Sequence, residues 1–220
     1  MIALIPAKKN SKRLPNKNIK KINGKPLIWY SINAALNSKK ISKVIVSTDC
    51  KKIAKMSVKF GAEVPFLRPK KLSGSKTPLI YVCKHALSFM KKKVNNNYSE
   101  IVVLQPTSPL RTSKDIDNCI NIYKNKNADI VTSFYEAKPR EWYKELDKDG
   151  KFDSFVSKKN YIYQTAKKNY LLNGAIYVFS EKFFNSKKNK NYYGYIMPKK
   201  RSVDIDYYED FKTAKEELTK

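Results

Sequence analysis

Across residues 2–134 two hydrophobic rhythms alternate, and that alternation limits the folds open to this chain. Short apolar or β-branched runs at residues 2–6, 43–48, 101–104 and 129–134 read as buried strands. Between them lie apolar stripes at helical spacing. Residues 26–36 carry Leu27, Ile28, Ile32, Ala35 and Leu36; residues 50–60 carry Ile53, Ala54, Met56 and Phe60. Residues 79–90 and 115–123 read the same way. Residues 62–66 read as one more short strand, stopped by Pro65 and Pro69. Strand followed by helix, repeated, predicts an α/β fold: a Rossmann-like, mostly parallel sheet with helices on both faces.

Beyond residue 135 the rhythm changes. Residues 138–168 are polar, aromatic and lysine-rich, which predicts a hairpin or arm projecting from the sheet. Residues 175–179 (AIYVF) return as a strand, 195–198 read as extended, and 211–218 as a closing helix. A length of 220 residues suits a single domain, 1–220, with that arm. No apolar run approaches the roughly 20 residues of a membrane span. The opening MIALIPAKKN is too short in apolar residues for a signal peptide. Cys50, Cys83 and Cys119 are odd in number and lack metal-ligand spacing, which excludes a disulfide framework and a cysteine zinc site. The chain reads as cytoplasmic.

The formal net charge is +27, and all but five of the 46 basic residues are lysine. Nucleic-acid readers favour the bidentate fork of arginine. Lysine scattered along a chain also rich in asparagine argues against a specific nucleic-acid partner. A polyanionic small substrate suits this field.

In parallel α/β sheets, ligands bind beyond the carboxyl ends of the strands. The loop after the first strand, PAKKNSKRLPNKN, crowds Lys8, Lys9, Lys12, Arg13 and Lys17 with Asn10, Ser11 and Asn18. Lysines and backbone amides in such a loop can cradle phosphates. The loop has no glycine, so neither the P-loop nor the dinucleotide fingerprint applies. Asp204 and Asp206 alternate in an extended segment, so their side chains share one face. Two carboxylates there can hold a hard divalent cation that in turn binds phosphate oxygens. The bland reading makes Asp210 a helix cap and the other acids a solvated turn.

Ordered motifs along the chain resemble one family. They are NSKRLPNKNIKKINGKPL, VSTD ending at Asp49, GAEVPFLRP, VVLQPTSPLR, NGAIY and RSVDID. Together they resemble the acylneuraminate cytidylyltransferases, the CMP-sialic acid synthetases, over essentially the whole chain. The resemblance implies a nucleotidyltransferase sheet, a homodimer joined through the arm, and a magnesium-assisted reaction. The anomeric hydroxyl of a 2-keto sugar acid would attack the α-phosphate of CTP and release pyrophosphate.

The resemblance also implies roles. Lys12, Lys17 and Asp206 would be catalytic, and Asp204 and Asp206 would bind Mg2+. Ala7, Lys8, Asn10, Ser11, Asn18, Arg68 and Thr77 would contact the nucleotide. Gln105, Thr107, Ser108, Gln164, Asn173 and Tyr177 would hold the sugar acid. Lys8 stands where the family usually has arginine, LSGSKT offers Ser75 or Lys76 for an aspartate, and Tyr163 replaces an arginine before Gln164. The related CMP-Kdo synthetases run LPGKPL together, whereas NKNIKKIN separates those pieces here. Two rivals remain: a catalytically degenerate relative, and a basic nucleic-acid-binding protein using the tyrosines set among lysines.

Overall fold

In a computed structural model, residues 1–11, 13–93, 98–152, 167–184 and 191–219 are described. Six strands form one sheet in the order β4-β1-β5-β7-β6-β8. They are β1 (Ile2–Pro6), β4 (Lys43–Ser47), β5 (Glu100–Leu104), β6 (Ile130–Ala137), β7 (Asn169–Ser180) and β8 (Tyr192–Ile196). β1 pairs in parallel with β4 and β5, and β6 with β8. β7 alone runs against its neighbours.

The strict alternation of side chains along each strand builds two cores. Ala3, Ile5, Val44, Val46, Val102 and Leu104 face one side. There they meet α1 (Leu27–Leu36), α2 (Lys51–Lys59) and α4 (Ser113–Asn125) through Ile28, Ile32, Ile53, Ile116 and Ile120. Ile2, Leu4, Ile45, Ile101 and Val103 face the other side, against Cys83, Ala86, Leu87 and Met90 of α3 (Leu79–Lys93). Both strand faces are therefore dry, as runs like IALI and IVVL require. A third cluster docks α5 (Tyr208–Glu217) through Phe211 and Ala214 onto Leu14, Ile22, Leu27 and Ile205.

The structure departs from the sequence reading in three places. Residues 62–66 contribute only one isolated bridge, Ile45 to Glu63, and a second, Thr48 to Leu67, falls just beyond them. Pro65 and Pro69 lack the amide hydrogens that a continuous ladder needs. The stretch between the loop after β1 and α1 forms a small antiparallel pair, β2 (Lys21–Ile22) and β3 (Lys25–Pro26). Asn23 and Gly24 turn it with φ of 45° and 78°, the left-handed pair that a tight hairpin demands. Finally, the strand expected at 175–179 is twelve residues long. Its outer half pairs with β6 as an antiparallel extension, from Phe134 opposite Leu172 to Ala137 opposite Asn169. Residues 153–166 of the expected arm lie outside the described residues.

Between the two halves of the β6–β7 pairing the register breaks. Thr132 opposes Tyr177 while Phe134 opposes Leu172, so residues 173–176 bulge past Ser133 alone. Gly174 takes φ 71° there. The Asn173 amide fills the gap in the ladder. Its Oδ1 accepts from Ser133 Oγ (2.6 Å) and the Ala175 amide (3.1 Å), and its Nδ2 donates to Ser202 Oγ (2.9 Å).

Candidate active site

The loops after β1 and β5, the residue 68–82 segment, and Asp204 and Asp206 converge on one cleft of about 550 Å³. Ile205 is fully buried in the α5 core, which turns its neighbours Asp204 and Asp206 together into the cleft. The Ile205 amide donates to the Thr107 carbonyl at 2.8 Å, so this run is pinned to the loop after β5.

The two carboxylates differ. Asp206 is ion-paired to Arg13 (2.8 Å) and to Lys17 (3.1 Å). Asp204 stays open to solvent at the cleft surface but is ringed by protein. That partial desolvation raises its pKa, Asp206 adds repulsion, and a side-chain hydrogen bond with Thr107 partly offsets both. Lys17 is buried: its ammonium also donates to the Ile205 carbonyl. Asn16, at φ 56°, turns the chain into the short 3-10 turn that presents Lys17 and Asn18. Asn18 Nδ2 donates to the Lys8 carbonyl at 2.9 Å, tying that turn to the first loop.

On the opposite wall sits Arg68, which is buried and donates to Ser73 Oγ at 3.2 Å. Burial pulls its pKa down, and Asp49 partly restores it. Gly74, Ser75 and Thr77 complete that wall. Asp49 does not cap α2: Cys50 is the N-cap residue, and no side-chain hydrogen bond caps it. Instead Asp49 Oδ1 accepts the Lys9 amide at 2.8 Å, bracing the first loop.

Of the residues anticipated from the sequence, Lys8, Ser11, Lys17, Asn18, Arg68, Thr77, Gln105, Thr107, Asp204 and Asp206 line this cleft. Tyr177 is half-buried and shares a side-chain hydrogen bond with Gln105; burial, then Asp204, pushes its phenol up. Ala7 is in the core, its amide bonded to the Ser47 carbonyl. Asn10 is exposed on the loop. Ser108 is buried, and its hydroxyl has no partner among the described residues. Asn173 is the buried plug of the β7 bulge. Lys12 and Gln164 lie outside the described residues. Arg13, seen in the sequence only as loop charge, is on the cleft wall with its guanidinium 5.5 Å from the Tyr207 ring centre. The R-L-P context of Arg13 next to the lysines was the available signal.

His85, the lone histidine, packs edge-on to Phe66 at 4.7 Å. Burial, Arg68 and Lys71 all lower its pKa, which favours the neutral ring in this packed position. Among the described residues no three His, Cys, Asp or Glu side chains cluster as a metal site. The Asp204–Asp206 pair nevertheless suits magnesium, which takes one or two carboxylates and fills its shell with water and phosphate oxygens.

A cleft of fixed cations and paired carboxylates beyond the carboxyl ends of parallel strands places the protein among the α/β enzymes that work on nucleoside phosphates. A family model described as cytidylyltransferase matches residues 2–220. The chain belongs to that family, as a nucleotidyltransferase of the acylneuraminate type. It is 36% identical over 197 residues to the CMP-N,N'-diacetyllegionaminic acid synthase of Legionella pneumophila, covering 88% of this chain and 82% of that protein. It is 35% identical over 224 residues to the N-acylneuraminate cytidylyltransferase of Escherichia coli O18:K1:H7, covering 97% of this chain; it spans about half (51%) of that longer relative. A solved structure of a CMP:2-keto-3-deoxy-manno-octonic acid synthetase complexed with CTP shares the fold. Its TM-score is 0.71 at 14% identity, over 99% of this chain and 98% of the other.

Proposed function

We propose that this enzyme transfers CMP from CTP to the anomeric hydroxyl of a nonulosonic, sialic-type acid. The observation that carries this reading is the two-sided cleft. Lys17, Arg13, Lys8 and Arg68 supply cationic charge to it, and Gln105, Thr107 and Tyr177 cluster beside the β7 bulge. Relatives named for legionaminic, acylneuraminic and pseudaminic acids support that acceptor class.

The chemistry is an in-line exchange at phosphorus. The sugar oxygen forms a bond to the α-phosphorus, the bond to the pyrophosphate oxygen breaks, and the hydroxyl proton passes to solvent water. Charge accumulates on phosphoryl oxygens, so fixed cations do most of the work. Lys17 and Arg13 exchange Asp206 for phosphate oxygens, and Arg68 and Thr77 hold the nucleotide from the opposite wall. Gln105 and Thr107 orient the sugar acid. Asp204 and Asp206 hold the divalent cation, which when bound screens the α-phosphate and lowers the pKa of the attacking hydroxyl. Lys12 and Gln164 belong to the same proposal by motif alone. The chain works as one domain, 1–220, and pairs as a homodimer through the arm at residues 138–168 together with the β6–β7 extension at its base.

The test is pyrophosphate release with CTP, magnesium and a panel of eight- and nine-carbon 2-keto acids. Release with a nine-carbon acid supports the assignment. Release only with the eight-carbon acid, or with none, overturns it.

A further inference from the structure

Arg111 closes the QPTSPLR segment and is fully buried behind the cleft, on the α1 and α4 side of the sheet. Its Nη1 donates to two backbone carbonyls at once, Gln105 at 3.2 Å and Ala175 at 2.9 Å. Its Nη2 donates to Ser31 Oγ at 2.6 Å, and Ser31 in turn donates to the same Gln105 carbonyl at 3.3 Å. One guanidinium thus joins the end of β5 to the bulge of β7. Those are the two backbones that carry Gln105 and Gly174. At Gly174 an added Cβ would lie 3.6 Å from Gln105 Nε2 and 3.8 Å from Asp204 Oδ2, so the bulge touches the cleft floor.

The charge has an unusual setting. Burial pushes the Arg111 pKa down to about 10, and the carboxylate that most offsets this, Asp115, is itself bonded to Arg201. Its Nε has no partner among the described residues. A buried cation held chiefly by backbone carbonyls and a hydroxyl is costly, and a hydrophobic residue would fill the space more cheaply. What an apolar residue cannot do is fix two carbonyls from different strands at one distance.

We infer that Arg111 is a positioning residue for the acceptor half of the site: it sets where Gln105 and the β7 bulge stand, and so where the sugar acid is held. On the proposed reading CTP is held by the first loop, Arg68 and the residue 74–77 segment, whereas the hydrogen bonds of Arg111 among the described residues go to Gln105, Ala175 and Ser31. Lysine keeps the charge but cannot span both carbonyls and Ser31. The inference rests on the sugar-acid reading above.

The experiment compares wild type, Arg111→Lys and Ser31→Ala, each with a melting curve and separate KM values for CTP and for the acid the wild type accepts. For Arg111→Lys we expect the sugar-acid KM to rise, with kcat/KM for the acid down on the order of 10- to 100-fold. The CTP KM should stay within about twofold. Ser31→Ala, which removes a single hydroxyl, should shift the same constant in the same direction by roughly two- to fivefold. If Arg111→Lys melts too low to assay, Ser31→Ala carries the decision alone. Equal losses for both substrates, or an unchanged sugar-acid KM in the assayable variants, would overturn the assignment. A wild type inert with every acid overturns the substrate reading and this one together, whereas an active wild type without the split overturns only this one.

Discussion

The Lys17 ammonium lies 3.1 Å from the Asp206 carboxylate at the bottom of the cleft, so a cation expected on the triphosphate is paired with an acid expected on the metal. Arg13 holds the other oxygen of the same carboxylate at 2.8 Å. Two cations therefore share one carboxylate, and with Lys8 and Arg68 beside them the cleft keeps an excess of positive charge. On the proposed reading, metal and triphosphate together would offer each group a new partner of the right sign, so binding would exchange ion pairs without stranding a charge.

Asp206→Asn separates the two roles. If Asp206 holds the metal as proposed, the metal loses a ligand and turnover should fall about 100-fold or more. Lys17 and Arg13 are freed, so CTP affinity measured without divalent metal should be unchanged or tighter. Asp210 is a contrast: its carboxylate accepts the Asp206 and Tyr207 amides at 2.9 and 2.8 Å as the cap of α5. Asp210→Ala should lower stability by about 1 kcal/mol and leave CTP affinity near wild type. Kinetics, calorimetry and melting curves on both variants check the ranking. A fully active Asp206→Asn would move the cation elsewhere.

Asp204 sets a pH dependence of known sign. Its carboxyl pKa is raised, by desolvation first and then by Asp206, so the folded chain binds its proton more tightly than the unfolded chain. Between the unfolded and folded pKa values stability therefore falls as pH rises. Asp204→Asn should melt no lower than wild type at pH 7 and should lose turnover and most of the added stability that magnesium with CTP gives the wild type. A variant that melts lower while keeping activity would show that the acid is structural.

Asp115 works in the opposite sense. Burial alone would raise its pKa, but Arg201, at 2.7 Å, with Thr112 and Tyr195 brings it below the ordinary value. The stability it contributes is present above the unfolded pKa and is lost as pH falls through the folded one. Asp115→Ala would remove the α4 capping box and strand Arg201, which opens the segment leading to Asp204. We expect a loss of about 3–5 kcal/mol near pH 7, shrinking toward acid pH, read by denaturant unfolding at several pH values.

Much of this architecture is legible in the chain. IALI, KVIVS and IVVL announce doubly buried parallel strands, and the helical stripes between them fall within a few residues of α1 to α4. The direction of β7 is not legible, because an antiparallel strand buried on both faces has the same apolar signature as a parallel one. Nor is the bulge: Asn173–Gly174 marks it only once Ser133 and Ser202 are seen to satisfy the amide. The INGK turn did carry its signal, an Asn-Gly pair, inside a stretch read as loop. Within the cleft, charge and spacing point to Lys17, Asp204 and Asp206. Arg111 and Asn173 bond to carbonyls and hydroxyls on other elements, and the sequence, although NGAIY marks Asn173, does not show those long-range partners.

The β6–β7 extension leaves Leu171 and Leu172 nearly half exposed, at 48% and 46%. A twofold dimer built there would bury them. Sedimentation should give twice the chain mass at working concentration. Leu171→Asp with Leu172→Asp should shift it to the monomer. A wild-type monomer would contradict shared assembly through this hairpin.

The most direct test of CMP transfer follows phosphorus itself. With CTP, magnesium and a nonulosonic acid, ³¹P NMR should show the triphosphate signals replaced by pyrophosphate and one new phosphodiester, and ATP, GTP or UTP should give little of either. Triphosphate left intact, or equal turnover of all four nucleotides, would contradict the account.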